Sequence, residues 1–197
     1  MKKNIFMAMF LVLVLASAVL AAPTNLALKK EYIVNREANP TYQDDAKLTD
    51  GVYSSAIRYS SPDFVGYNGQ DPMIWIIDLK DVYKVDTVFA NFLNEDGVGS
   101  LLPKMLSLVV SQDGKRWKAI DYQEYTEDDL PREGTYLNKY EFKIKGEKVR
   151  YVALKASSQF WLFIDEFEVI GDASSKEDAS KGYSLDDLDF EEIDFDF

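Results

Sequence analysis

The chain contains no cysteine and no histidine. Without histidine there is no imidazole general base, no Ser-His-Asp triad and no His-Glu-x-x-His zinc helix. Without cysteine there is no thiolate nucleophile, disulfide, thiolate-held zinc or iron–sulfur cluster. Oxygen ligands remain, and these suit a hard cation such as calcium. Positive charge is scarce: 22 Lys+Arg against 34 Asp+Glu give a formal net charge of −12. Such a chain lacks the basic footprint that nucleic-acid phosphates need, and anionic membranes disfavour it too. A glycine-rich phosphate loop is missing as well. What is present in quantity is apolar: a hydrophobic share of 47% can build a core, and 197 residues suit one domain.

Lys2 and Lys3 precede an uncharged apolar run, Ile5 to Leu20, which closes on Ala21 and Ala22. This is the pattern of an export signal cleaved after Ala21; cleavage after Ala22 would put Pro23 first. The run is shorter than the ~20 residues a spanning helix needs. No cysteine follows it to carry a lipid. Residues 1–21 are thus expected to be a signal peptide, and the mature protein not to be an integral membrane protein. Loss of the two lysines takes the charge from −12 to −14. Export without cysteine points to a bacterial secreted, cell-surface or periplasmic protein. Asn39-Pro40-Thr41 carries the proline that forbids N-glycosylation.

Between Ala22 and Gly171 there is no amphipathic helical pattern of useful length. Short β-branched and aromatic runs recur instead: Met73–Leu79, Val85–Leu93, Met105–Ser111, Trp117–Ile120, Tyr136–Lys145, Arg150–Lys155 and Trp161–Ile170, with Tyr32–Val34 as a first strand. Tyr140, Phe142 and Ile144 alternate with Glu141, Lys143 and Lys145. Val85, Thr87, Phe89, Asn91 and Leu93 alternate with Asp86, Val88, Ala90, Phe92 and Asn94. Such period-two runs predict an all-β fold, an antiparallel β-sandwich or jelly roll. Short turns at Lys80–Lys84, Gln112–Arg116 and Gly146–Lys148 alternate with longer connections at Gly51–Pro72, Asn94–Lys104, Asp121–Thr135 and Ala156–Phe160. The long loops should therefore crowd one rim, where a rigid sandwich places a binding site.

Asn25-Leu26-Ala27, Leu48-Thr49-Asp50-Gly51, Trp75-Ile76-Ile77-Asp78-Leu79, Leu102-Pro103, Val110-Ser111-Gln112-Asp113-Gly114 with Trp117, Arg150-Tyr151-Val152-Ala153-Leu154 and Phe163-Ile164-Asp165-Glu166-Phe167-Glu168-Val169 follow one another in order. Over nearly all of Ala22–Gly171 this resembles the discoidin, or coagulation factor 5/8 type C, domain, a galactose-binding-like β-sandwich that overlaps with family 32 carbohydrate-binding modules. The resemblance implies a structural calcium between the Asp-Gly loop and the last strand. Asp50 and Glu166 would give carboxylates, Leu48 and Tyr53 carbonyls, and Ser55, where the family often has threonine, a hydroxyl and a carbonyl. Carboxylates with carbonyls are the oxygen set calcium takes. On the last strand, Phe163, Asp165, Phe167 and Val169 are expected on one face and Ile164, Glu166, Glu168 and Ile170 on the other. Trp117 is expected in the core.

A sugar offers C–H faces for stacking and hydroxyls for directed hydrogen bonds, so aromatic and polar loop residues are the candidates. Arg58, Tyr59, Tyr67, Asn68, Asn94 and Asp96 are the expected ligand contacts, with Phe64 and Trp161 capping the core beneath them. The loop histidine common in galactose-binding relatives is absent. The adjacent acids Asp44–Asp45 and Asp128–Asp129 read as solvated surface rather than a catalytic pair, so no enzyme is expected. The leading expectation is a non-catalytic module recognising a carbohydrate or glycan polymer at the cell surface or matrix. The alternative is a protein–protein adaptor in envelope or extracellular assembly.

The last 26 residues, 172–197, hold ten acids and two lysines. Ser174–Gly182 reads as a linker. Tyr183–Phe197 then alternates acids with Leu185, Leu188, Phe190, Ile193, Phe195 and Phe197, and an acidic segment is expected to stay disordered beside an acidic domain. Its apolar residues suit either a protein partner or its own domain's sheet edge.

Overall fold

The structure is a computed structural model describing residues 22–68, 72–126, 128–130, 133–158, 160–179 and 182–195; the expected signal peptide and Phe197 lie outside them. Eight antiparallel strands form the fold: β1 Thr24–Asn25, β2 Tyr32–Val34, β3 Val65–Tyr67, β4 Met73–Glu95, β5 Met105–Ser111, β6 Trp117–Glu124, β7 Thr135–Ser157 and β8 Leu162–Glu177. The hydrogen-bonded order is β1-β8-β4-β7-β5-β6, with β2 added on β4 and β3 on β8. Among the described residues, helical structure is confined to short 3₁₀ turns, and no helix is long and apolar enough to cross a membrane. The expected all-β sandwich is therefore what forms.

Two expected pairs of strands are each one strand turning a corner. β4 joins Met73–Leu79 to Val85–Leu93, and β7 joins Tyr136–Lys145 to Arg150–Lys155. The register between β4 and β7 shifts between Asp78 and Tyr83, where Lys80 has φ 73°, and again between Val85 and Thr87, beside Lys145 at φ 60° and Gly146 at φ 78°. These bulges bend both strands together. The first limb of β4 pairs with β2 and with Tyr151–Ala156 of β7, which pairs onward to β5 and β6. The second limb pairs with Thr135–Lys143 of β7 and with β8. The two halves make the two layers.

Between the layers lies the main core. Trp75, Ile77 and Leu79 of β4 meet Val152 and Leu154 of β7 and Leu106, Leu108 and Val110 of β5 from one side. Val88, Ala90 and Phe92, with Tyr140, Phe142 and Ile144, face them from the other. The bulge at Val85–Thr87 puts Val85 on the same face as Val88, so the expected alternation breaks there. A second bulge, between Asn91 and Phe92 against Glu166 and Ile164, inserts Asp165 as an extra residue in β8. Ile164, Phe167 and Val169 consequently share the core face while Phe163 turns away, against the strict alternation expected. Trp117 also leaves the main core and packs on the outer face of the first layer.

β8 continues past the expected domain end at Gly171. A Cβ there would stand 2.4 Å from the Lys84 carbonyl, so glycine lets the strands cross closely. Beyond it Glu177 pairs with Val82, Lys148 reaches Glu177 at 2.7 Å and Lys176 reaches Asp81 at 2.9 Å. The first part of the expected linker, Ser174–Glu177, is therefore strand. The acidic segment after it is not disordered: Leu185, Ile193 and Phe195 are buried against Ile76, Val109, Tyr151 and Ala153 on the outer face of the first layer. It lies on that face rather than along a sheet edge. Local charge explains how an acidic segment sits on an acidic domain, because Lys115, Arg150 and Lys155 all meet it here.

Candidate functional site

The long loops gather at one rim. Glu95 pairs with Ser100, whose neighbours join the loop before β8: the Trp161 N–H donates to the Gly99 carbonyl at 3.2 Å and the Leu101 N–H to the Trp161 carbonyl at 3.3 Å. Lys104 N–H donates to the Ser157 carbonyl, and Tyr125 N–H to the Lys104 carbonyl. The 51–72 loop joins them where the Tyr59 N–H donates to Glu95 Oε2 at 2.7 Å. The register aligns Ser111 with Tyr151 and Tyr151 with Asp78, which sends the short turns to the opposite end.

An aromatic cluster builds the rim's surface. Tyr42, Tyr59 and Trp161 are half-buried over Phe64, Leu93 and Phe163. Tyr42 meets Phe163 edge-on at 4.9 Å, Trp161 at 5.6 Å and Tyr59 at 5.9 Å between ring centroids, while Trp161 stacks on Phe163 at 5.6 Å. Such edge-on and offset contacts hold rings at fixed angles. The backbone sets Tyr42 in place, as the Gly66 N–H donates to its carbonyl at 3.1 Å. Gly66 has no room for a side chain: a Cβ would lie 2.6 Å from Phe163 and 2.8 Å from Tyr42. Tyr59 sits on a turn pinned by Ser54, whose Oγ lies 2.7 Å from Ser61 Oγ and whose N–H donates to Asp165 Oδ2 at 2.9 Å.

Beside these rings lies an open cleft of about 540 Å³ lined by Thr41, Tyr42, Lys47, Tyr59, Ser60 and Ser61, among others. A second cleft of about 400 Å³ shares Pro40, Gln43 and Asp45 with it. The floor thus offers aromatic faces, and the walls offer hydroxyls, an amide and an ammonium.

Of the expected contacts, Tyr59 lines this cleft, and Arg58 and Asn68 are exposed in the same loop. Asp96 is exposed in the 3₁₀ turn Asp96–Val98. Two expectations need correction. Tyr67 is in the core, 2% exposed, edge-on to Trp75, with its hydroxyl donating to Asp44 Oδ2 at 3.2 Å. Asn94 is 1% exposed and donates to the Gly134 carbonyl at 2.8 Å, tying two loops together. Both are supports for the rim. Phe64 caps the core as expected, but Trp161 remains half-open in the cluster. Tyr42 and Lys47 were absent from the expected set. Asn39-Pro40, a turn signal one residue removed from Tyr42, was the available cue.

A group of acids lies along β8. Glu166 is buried, its Oε2 accepting from the Gly51 N–H at 3.0 Å and its Oε1 without a hydrogen-bond partner. Burial pushes this carboxyl up to about 8, with Asp50, Glu168 and Asp165 adding negative charge, against the Gly51 N–H. Asp50 is exposed, its Oδ1 accepting from the Val52 N–H at 2.7 Å. Leu48 is buried in the 3₁₀ turn Lys47–Thr49, whereas Tyr53 and Ser55 are exposed. The Tyr53 hydroxyl donates to Glu168 Oε2. Asp165 is buried too; burial raises its carboxyl, opposed by the Ser54 N–H and the Asn91 amide.

No protein-family model matches the chain, and no curated protein matches it. Solved structures do match. A chitosan-binding module from a chitosanase/glucanase of Paenibacillus sp. IK-5 superposes with a TM-score of 0.54 at 17% identity, covering 75% of this chain and 99% of that one. A Streptococcus pneumoniae fucose-binding module gives 0.53 at 18%, covering 76% of this chain and 96% of that one. A Clostridium perfringens family 32 carbohydrate-binding module, solved with GlcNAc-α-1,4-galactose, gives 0.53 at 15%, covering 77% of this chain and 96% of that one. The galactose-binding-like, discoidin-type β-sandwich expected from the sequence is therefore the fold of this chain, and it is a fold shared with carbohydrate-binding modules.

Proposed function

We propose that this chain is an exported, non-catalytic module that binds carbohydrate at its long-loop rim. The observation that carries the reading is the half-exposed cluster of Tyr42, Tyr59 and Trp161, held rigid beside a cleft rich in hydroxyl groups. Rings of this kind supply apolar area with little side-chain entropy left to lose, and the polar wall fixes orientation. Arg58 and Asn68, exposed in the same connection as Tyr59, would add directed hydrogen bonds. The sugars bound by the three matched modules support the class of ligand. The apolar leader supports work outside the cytoplasm.

Glycan-array binding tests the reading directly. Hits are expected, and Tyr42→Ala and Tyr59→Ala should each weaken binding about tenfold, the equivalent of ~1.4 kcal/mol, while the chain stays folded and its melting temperature falls only modestly for the lost ring contacts. A blank array with correctly folded protein would assign the rim to a protein partner instead.

Calcium belongs to the same proposal as a structural ion. Among the described residues no group of three or more acidic side chains gathers as a metal cluster. The donors would be two carboxylates, Asp50 and Glu166, with oxygens of Leu48, Tyr53 and Ser55. Support comes from Glu166 Oε1, a buried oxygen left without a partner, since such an atom costs stability unless something meets it. At 100 times its dissociation constant a native-state ligand adds about 2.7 kcal/mol. Melts in calcium should exceed melts in EDTA, and Glu166→Gln should abolish the difference. Equal midpoints, with no metal by elemental analysis, would remove the ion from the account.

A further inference from the structure

Residues 183–195 cross the outer face of the first layer as a strap. Two 3₁₀ turns, Leu185–Asp187 and Phe190–Glu192, shape it, with Ser184 and Asp187 forming a reciprocal cap on the first. Leu185, Leu188, Phe190, Ile193 and Phe195 pack on a floor of Ile76, Val109, Tyr151 and Ala153, flanked by Trp117. Every acid between them, Asp186, Asp187, Asp189, Glu191, Glu192 and Asp194, is exposed. The floor has cationic margins at both ends of the strap. Lys115 Nζ lies 4.7 Å from the Tyr183 ring, and Lys155 Nζ lies 5.2 Å from the Phe195 ring. Arg150 Nη2 donates to the Tyr183 carbonyl at 3.2 Å, and the Tyr151 hydroxyl donates to the same oxygen.

This floor is a receptor in its own right. Its residues sit on strands whose opposite faces, at Trp75, Ile77, Val152, Leu154, Leu108 and Val110, already belong to the main core. The strands are therefore held whether or not the strap is seated. Apolar pockets between cationic margins complement an acidic segment with apolar residues at this spacing, and that sequence is carried by every copy of the chain. In cis the strap is tethered by the short connection after Glu177, which gives it an effective concentration in the millimolar range. In trans the same contacts are available once a strap lifts, as in the exchange of an identical element between protomers. We propose that the outer face of the first layer is a docking groove, filled in cis by the chain's own C-terminal segment and filled in trans by the C-terminal segment of a second copy.

The absence of native cysteine and the exposure of the acids make the test simple to build in the full-length chain. A receptor, Ile193→Asp with Phe195→Asp, has an open groove and a disabled strap. A donor, Ala153→Arg, has an intact strap and a blocked groove. Each alone should sediment as a monomer, and their mixture should give a 1:1 dimer. A fluorescent synthetic peptide of residues 183–195 should bind the receptor saturably, at least tenfold more tightly than it binds the native chain, and should lose that binding when it carries Ile193→Ala and Phe195→Ala. A second receptor guards against misfolding of the first. In Gly182→Ala the new Cβ would stand 1.8 Å from Arg150 Nη1 and 2.7 Å from the Tyr151 hydroxyl, the two groups that hold the Tyr183 carbonyl, so it unseats the strap's anchor while residues 183–195 and the floor's apolar residues keep their identity. That variant should also bind the peptide more tightly than the native chain does. Failure of both folded receptors to bind peptide overturns the proposal. So does self-association of the receptor alone, which would make the bare floor a floor-to-floor dimer surface. Neither result touches the rim, so the carbohydrate reading stands or falls separately.

Discussion

Arg150→Ala should lower the stability of the chain by about 3–5 kcal/mol, the usual cost of removing one partner from a buried ion pair. Arg150 meets Asp78 with both arms of its fork, Nε to Oδ1 at 2.9 Å and Nη2 to Oδ2 at 3.1 Å. Asp78 is 1% exposed, and its other contacts are the Lys80 N–H at 2.7 Å and a longer Lys80 Nζ contact at 3.5 Å. Burial on its own would raise the Asp78 carboxyl, but the Arg150 guanidinium and the Lys80 N–H outweigh it and hold the carboxyl below its ordinary value. Without Arg150, burial dominates and a charge is stranded inside. The acid limb of the stability curve gives the sign. In the native chain this contribution is complete above the unfolded pKa of 3.8 and is lost as pH falls through the depressed native value. In Arg150→Ala the shift reverses, so acid should destabilise the variant less than it destabilises the native chain. Denaturant melts at neutral pH and at pH 3 measure both effects. Asp78→Asn with Arg150→Met should recover part of the loss, because no buried charge remains.

Trp75→Ala should cost a similar amount, about 3–5 kcal/mol, for a different reason. Trp75 is 1% exposed and stands at the centre of the main core, edge-on to Tyr67 at 5.5 Å, to Phe167 at 5.5 Å and to Phe92 at 6.2 Å. These neighbours all come from the facing layer and are fixed by their own strands, so the void left by the indole collapses poorly. At about 2–4 °C per kcal/mol for a chain of this size, the midpoint should fall by about 6–20 °C. A fall under 2 °C in a scanning calorimeter would mean that the core repacks freely around this position.

Much of the architecture was legible because the strands that line the core keep period two. Tyr140, Phe142 and Ile144 face the core as their alternation says, and Met105–Ser111 forms the strand expected. The corners were not legible. Lys80 and Lys145 adopt positive φ without glycine at the position, so nothing marked the two long strands as continuous. The bulge at Asp165 reversed the faces of one half of β8, which a composition pattern cannot show. At the site, Tyr59 carried the signal of an aromatic in a polar loop, whereas Tyr67 carried the same signal from a strand that pairs with β8 and turns inward. The strap also has a trace in the sequence. Ile74-Trp75-Ile76-Ile77 and Leu108-Val109-Val110 are apolar on consecutive positions, the mark of a sheet buried on both faces, so something had to cover the second face.

The two corner-turning strands have a mechanical consequence. β4 and β7 lie side by side through the whole bend, and their pairing resumes on both sides of it, from Met73 with Ala156 to Glu95 with Thr135. They act as a rigid bracket rather than a hinge. One layer cannot swing or slide on the other without breaking the ladder that runs through both. A load applied at the rim, where β4, β7 and β8 all end or begin, is shared at once by the two layers. The sandwich should therefore yield as one body, whereas the strap, packed on it from outside, can let go without it.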